Sequence, residues 1–210
     1  MPAMTTTALT IEVLRGAQVL PHLEAVAALR MTVFAQWPYL YQGDAGYERD
    51  YLAAYAASPG SVFVLARTPA GEVVGASTGL PLVDDGPGFA APFAAAGIDP
   101  VSVFYFGESV LLPAWRGQGL GHAFFDARER HAQALGGFAL TAFAAVERAD
   151  DDPRRPPGHR DHAVFWAGRG YTRQPGLVMQ LAWQEVGHAS VDHRLTFWTR
   201  PLPGAGHPEP

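Results

Sequence analysis

One stretch, residues 104–135, limits what this chain can fold into more than any other: FYFGESVLLPAWRGQGLGHAFFDARERHAQAL. It opens as an extended apolar run and breaks at Pro113. It then passes through Arg116, Gly117, Gln118, Gly119, Leu120 and Gly121 and continues with apolar residues at helical spacing. A strand, a glycine-rich turn and a helix start, in that order, make an anion cradle. The first turn of a helix leaves N–H groups unpaired, and the macrodipole puts partial positive charge there. Glycines let the backbone approach a phosphate without a Cβ in the way, and Arg116 adds a permanent cation with a fork of donors.

Two common phosphate loops do not fit. A P-loop ends in Lys-Ser/Thr, and the chain contains no lysine. A dinucleotide fingerprint beginning at Gly117 and Gly119 would need a third glycine where His122 stands, although Glu147 falls where a ribose-binding acid is expected. The missing lysine also excludes Schiff-base chemistry. The missing cysteine excludes disulfides, a thiolate nucleophile and Cys-ligated metal. A net charge of −5 with no basic stripe argues against nucleic acid as a partner. The N-terminal sixteen residues lack a basic n-region and an apolar h-region, and no run reaches the ~20 apolar residues of a membrane span. A cytoplasmic protein with no membrane partner is therefore expected. The Ala, Gly and Arg content without lysine suits a bacterium of high genomic G+C.

The Arg-Gly-x-Gly-x-Gly pattern after a strand and at the head of a helix resembles the acyl-CoA pyrophosphate loop of the GNAT acyltransferase superfamily. The likeness extends to both flanks. Val110, Leu111, Leu112 and Pro113 resemble the splayed strand end whose backbone pairs with the pantetheine arm. The run Phe165-Trp166-Ala167-Gly168-Arg169-Gly170-Tyr171 resembles the late helix ending in Gly-aromatic. The resemblance implies an α/β (α+β) fold with a mixed, mostly antiparallel sheet flanked by helices on both faces. It implies N-acetyltransfer from acetyl-CoA, used as a co-substrate without a metal, to a primary amine of a small molecule. Val110, Leu111, Leu112, Arg116, Gly117, Gln118, Gly119, Leu120 and Gly121 would hold the CoA. A non-catalytic acyl-CoA-binding sensor is the alternative.

Local patterns agree with one domain over 1–200 and a flexible tail over 201–210. A short edge strand is expected at 10–14, and helical spacing joins Leu20, Leu23, Ala27, Met31 and Phe34 before Pro38. A second helix is expected over 46–57 and a hairpin over 61–67 and 72–82. The Gly/Pro/Ala-rich insertion 84–100 is expected to hold a short helix at 89–96, followed by one central strand over 101–112. The long helix 120–135 should bury Leu120, Phe124, Ala127, His131 and Leu135. A strand over 138–146, a polar loop over 148–160, a helix over 161–169 and an antiparallel pair over 177–183 and 194–200 complete the order. That pair and the insertion are candidate contact surfaces for a homodimer.

Acyl transfer to an amine needs a proton acceptor and a way to stabilise the departing thiolate. Glu108, placed on one strand face with Phe104, Phe106, Val110 and Leu112, is the expected acceptor. Its other reading is an ion pair with an arginine. The family's thiolate-protonating tyrosine would fall on Trp166, which cannot serve, so Tyr171, His162, Asp161 and solvent are the substitutes, with Tyr171 the catalytic candidate. A packed aromatic with its hydroxyl satisfied is the favoured reading of Tyr171. Trp37, Tyr39, Tyr41 and Asp44 lie where the superfamily shapes its acceptor pocket, with Asp44 to anchor an ammonium group; a packed aromatic turn is the other reading. Arg128 and Arg130 are candidates for the 3′-phosphate of CoA or for pairing on the helix surface. His159, Asp161 and His162 suit a solvated loop better than a metal site.

Overall fold

The computed structural model describes residues 9–203. The readings of the N-terminal leader and of the tail fall partly outside that range. The chain forms β1 (Thr10–Arg15), α1 (Leu23–Phe34), α2 (Ala45–Ala57), β2 (Val62–Arg67), β3 (Val73–Pro81), α3 (Pro87–Ala95), β4 (Val103–Tyr105) and β5 (Ser109–Leu111). It continues with α4 (Leu120–Leu135), β6 (Leu140–Val146), α5 (Ala163–Gly168), β7 (Thr172–Gln184) and β8 (Ser190–Pro201). A 3-10 turn over Gly16–His22 takes the start of the expected first helix. Asp44 caps α2 by accepting from Tyr47 N at 2.8 Å.

Eight strands form one sheet in the order β1-β2-β3-β4-β6-β8-β7, with β5 paired to β3. All pairings are antiparallel except β4 with β6. One face carries α1, α2 and α3 over a core that includes Val26, Leu52, Phe63, Phe93 and Phe197. The other carries α4 and α5 over Val62, Phe104, Phe106, Phe124 and Phe143. Helices thus cover both faces of a mixed, mostly antiparallel sheet, as expected.

The central strand is not one strand. β4 pairs with β3 and β6, and its last link to β6 is Phe106 N donating to Ala142 O at 2.8 Å. After Gly107 the chain stays on β3 and leaves β6. The side-chain alternation also breaks there. Phe104 and Phe106 pack under α4, whereas Val110 lies in the core under α1 and α2. Glu108 therefore does not share a face with Phe104 and Phe106. Gly107 is required at the break, because an added Cβ would lie 2.7 Å from both Thr78 Oγ1 and Tyr55 Oη.

Arg128 of α4 closes the break from below. It is 1% exposed, and its hydrogen bonds are to uncharged oxygens. Its Nη1 donates to Thr78 O (3.2 Å) and Glu108 O (3.1 Å), its Nη2 to Ser109 Oγ (2.9 Å) and its Nε to Phe124 O (3.2 Å). The expectation that it faces a CoA phosphate or pairs on the helix surface is corrected: it lies on the buried stripe of α4, while Leu135 is 46% exposed. At the other end of the domain, Leu202 is buried and donates to Ala139 O at 2.8 Å, so 201–202 belong to the fold rather than the tail.

Replacing Arg128 by Met keeps the volume roughly but takes away the donor to Ser109 Oγ and the second donor to Thr78 O and Glu108 O, which keep only Gly107 N and Thr78 N. The expected loss is on the order of 3 kcal/mol, read from urea unfolding of the variant beside the parent. A change below ~0.5 kcal/mol would show that the break does not rest on this side chain.

Candidate active site

The departure of β5 from β6 opens a gap in the sheet. Leu112 N donates to Val74 O (3.0 Å) and Thr78 N to Glu108 O (3.1 Å), with Ala76 opposite Val110. By the antiparallel alternation, the backbone groups of Glu108, Val110 and Leu112 face β3, and those of Ser109 and Leu111 face the gap. Of the three residues expected to present main chain to a ligand, only Leu111 turns its backbone to the gap; Val110 and Leu112 are used by the sheet.

The glycine loop lies at the foot of this gap. Gly117 (φ +78) and Gly119 (φ +80) have no atom within 4 Å of an added Cβ, so the backbone there borders open space. The amides of Gly117, Gln118 and Gly119 meet no backbone acceptor among the described residues, while His122 N and Ala123 N turn back to Gly119 O. Leu120 and Gly121 have packing roles. Leu120 is buried in the core, and a Cβ on Gly121 would lie 3.3 Å from Phe165 Cζ of α5. Arg116 is exposed, and its Nε donates to Leu111 O (3.1 Å) while its Nη2 donates to Gln36 Oε1 (3.3 Å). It thus ties the loop to the edge of the gap.

Above the break sits a buried polar cluster. Arg30 of α1 donates from Nε to Glu48 Oε2 and holds Nη1 2.5 Å from Glu108 Oε2. Its guanidinium also stands 4.4 Å over the Tyr51 ring. Tyr51 Oη donates to Glu108 Oε2 at 3.3 Å. Oε1 of Glu48 and Oε1 of Glu108 are buried with no partner among the described residues. Two carboxylates thus share one cation, and two acceptor oxygens remain free in a low-dielectric pocket. Burial pulls the Arg30 guanidinium down, but Glu108, Tyr51 and Glu48 outweigh it and hold it above its ordinary value. Burial, reinforced by Glu108, raises the Tyr51 hydroxyl well above the usual range. Asp85, after the turn that follows β3, has its carboxyl pushed up to about 7 by burial, with Glu108 adding to the rise against Tyr55 and Arg30.

The remaining expected residues divide. Tyr39 turns its ring inward, 4.6 Å from Phe34 and 5.8 Å from Trp183, and burial pushes its hydroxyl up to about 12. Trp37 points instead to His159 and Arg148. Tyr41 bridges to Glu185 through its backbone. Asp44 is exposed and engaged as the α2 cap, so the structure does not bring it to Glu108. Tyr171 packs among Phe125 and Phe143 under α4, with its hydroxyl 3.0 Å from Thr141 Oγ1 and donating to Glu129 Oε1 at 3.1 Å. It shares a core with Phe106, not with Glu108. Asp161 accepts from Ala163 N (2.7 Å), and His162 is the N-cap residue of α5.

Two chain segments lock the 37–41 turn. Arg148 donates to Pro38 O (2.6 Å) and Tyr39 O (2.9 Å) and pairs with Glu185 (2.6 Å), which also pairs with Arg154. Trp183 Nε1 donates to Tyr39 O (3.0 Å), and Val186 N to Leu40 O (2.8 Å). Among the described residues, no group of three or more His, Cys, Asp or Glu could hold a metal ion, and no helix is long and apolar enough to cross a membrane.

Asp85 gives a test by pH. A carboxyl whose folded pKa is raised favours the fold while protonated and loses that contribution as pH rises through the folded value. The Asp85→Asn variant should therefore gain melting temperature relative to the parent as pH rises from about 5 to about 8, with a level difference below about 4. A difference that stays constant across this range would show that Asp85 ionises normally.

No protein-family model and no curated protein sequence matches the chain. Solved structures do. A GNAT superfamily phosphinothricin acetyltransferase from Sinorhizobium meliloti, in complex with AcCoA, aligns over 96% of this chain and 93% of its own at 15% identity, with a TM-score of 0.57. The ribosomal-protein-S18-alanine N-acetyltransferase from Escherichia coli aligns over 97% and 99% at 11% identity, with a TM-score of 0.59. An N-acetyltransferase from Staphylococcus aureus Mu50 aligns over 93% and 99% at 11% identity, with a TM-score of 0.58. Such identities speak for architecture alone: this chain has the fold of these acetyltransferase structures.

Proposed function

We propose that the chain transfers an acetyl group from acetyl-CoA to an amine, with Glu108 as the proton acceptor. The observation that carries this reading is the gap between β5 and β6, with open glycine amides at one end and a buried carboxylate oxygen at the other. The residues present fit the donor. The amides of Gly117 to Gly119 suit a diphosphate, and the outward backbone of Ser109 and Leu111 suits an extended amide-bearing arm. AcCoA in the Sinorhizobium meliloti structure of the same fold supports the choice.

When bound, the donor supplies a thioester. The chain's own part is to place and deprotonate the amine. Glu108 Oε1, free of partners, takes a proton from the incoming ammonium, while Arg30 and Tyr51 fix Oε2 and so aim the carboxylate. As the new N–C bond forms and the C–S bond breaks, the nitrogen gives its second proton to solvent and the thiolate takes one from solvent. Tyr171 is left out of this scheme because its hydroxyl already donates to Glu129.

Glu108→Gln is expected to lower kcat by roughly 10²–10⁴-fold in a thiol-release assay while CoA affinity stays within about threefold. The variant should fold, since Glu48 continues to neutralise Arg30. Unchanged turnover would remove Glu108 from the chemistry. CoA binding with no thiol release from any amine would favour the acyl-CoA sensor instead.

A further inference from the structure

The acceptor side carries more negative charge than one amine requires. Glu48 and Glu108 share the single cation Arg30. A third carboxylate, Asp85, arrives from a separate part of the chain. It follows the 3-10 turn Leu82–Asp84 at the start of the insertion between β3 and β4. That insertion is packed, not loose. Phe89 meets Tyr105 at 5.2 Å, Phe93 meets Phe197 at 4.8 Å, and Ser58 Oγ donates to Asp84 Oδ2 at 2.6 Å. Asp85 is therefore held in place by built structure.

Three buried polar atoms on this side lack a hydrogen-bond partner among the described residues: Glu108 Oε1, the Tyr55 hydroxyl and Asp85 Oδ2. They come from the strand break, from α2 and from the insertion. The Tyr55 hydroxyl can turn to Asp85, but no described residue donates to Glu108 Oε1, and a cation with several N–H groups is the ligand that serves Glu108 and Asp85 together. The surrounding surface suits a cation as well. The Tyr51 and Tyr55 rings lie 4.8 Å apart, and Tyr51 already accepts the Arg30 guanidinium on its face. Glu48 Oε1, buried on the far side of Arg30, adds to the negative field.

We propose that the acceptor carries two cationic nitrogen centres: the amine to be acetylated meets Glu108, and a second, which stays protonated, is held by Asp85 beside the tyrosines of α2. The inference rests on the acetyltransferase reading and adds the acceptor's class to it. A neutral tail would bring no counter-charge to Asp85, and a carboxylate-bearing acceptor would meet repulsion from Asp85 and Glu108. The insertion is then the part of the fold that selects the acceptor.

The test compares short α,ω-diaminoalkanes with n-alkylamines of equal chain length in thiol release from acetyl-CoA. The expected kcat/KM ratio of diamine to monoamine is roughly tenfold or more, the size of one partly buried charge contact. In Asp85→Asn that ratio should fall to near one, whatever the absolute rates. A ratio near one in the parent protein, or a ratio that survives in Asp85→Asn, overturns the inference and leaves the acetyltransferase reading standing. Should Asp85→Asn fold poorly, the parent ratio decides alone. Thiol release from no amine of either series, with acetyl-CoA bound, overturns the acetyltransferase reading and this inference with it.

Discussion

The site depends on one buried guanidinium. Where β5 leaves β6, the chain is held to β3 by Gly107 N donating to Thr78 O and Thr78 N donating to Glu108 O. Arg128 gives each of these oxygens a second donor and so braces the break. Its planar fork reaches Thr78 O, Glu108 O and Ser109 Oγ at once, and its flat face rests 4.2 Å from the Phe106 ring. Burial lowers the guanidinium to about 10, yet at neutral pH it remains charged and a full donor. The gap is therefore a property of the resting fold. No ligand has to force the strands apart.

The same residue is gripped from both sides. Arg128 holds the backbone of Glu108 from the α4 face, and Arg30 holds its carboxylate from the α1 face. This double hold leaves little rotational freedom to the side chain proposed to accept the proton. It also makes the ion pair of Glu108 compatible with that proposed role. Its two oxygens are in different surroundings, one saturated and one bare. The alternatives weighed from sequence, pairing or catalysis, are not exclusive.

The elements were largely legible in the sequence, because apolar spacing and turn formers report directly on helices and hairpins. The glycine loop was legible for the same reason: Gly117 and Gly119 do take positive φ. The strand break at Gly107 was not, since an alternating pattern continues in the letters on both sides of it while the backbone changes partner. Arg30 and Glu48 left a signal that went unread. Each is a charged residue on an otherwise apolar stripe, with Leu23, Val26 and Ala27 before the one and Leu52 and Tyr55 after the other. A charge at a core position of a helix calls for a partner on a neighbouring element. Asp44 misled for the opposite reason: a helix-capping aspartate and a ligand-binding aspartate look alike until the first turn is seen.

The lock on the 37–41 turn has a bearing on motion. Arg148, the Glu185 carboxylate and the Trp183 indole come from two distant stretches, and all converge on the carbonyls of Pro38 and Tyr39 or on one another. Such a turn cannot fray one residue at a time. To swing aside it must release the hairpin end and the polar loop in a single concerted event, so amides on all three stretches would exchange with solvent together, at one common rate.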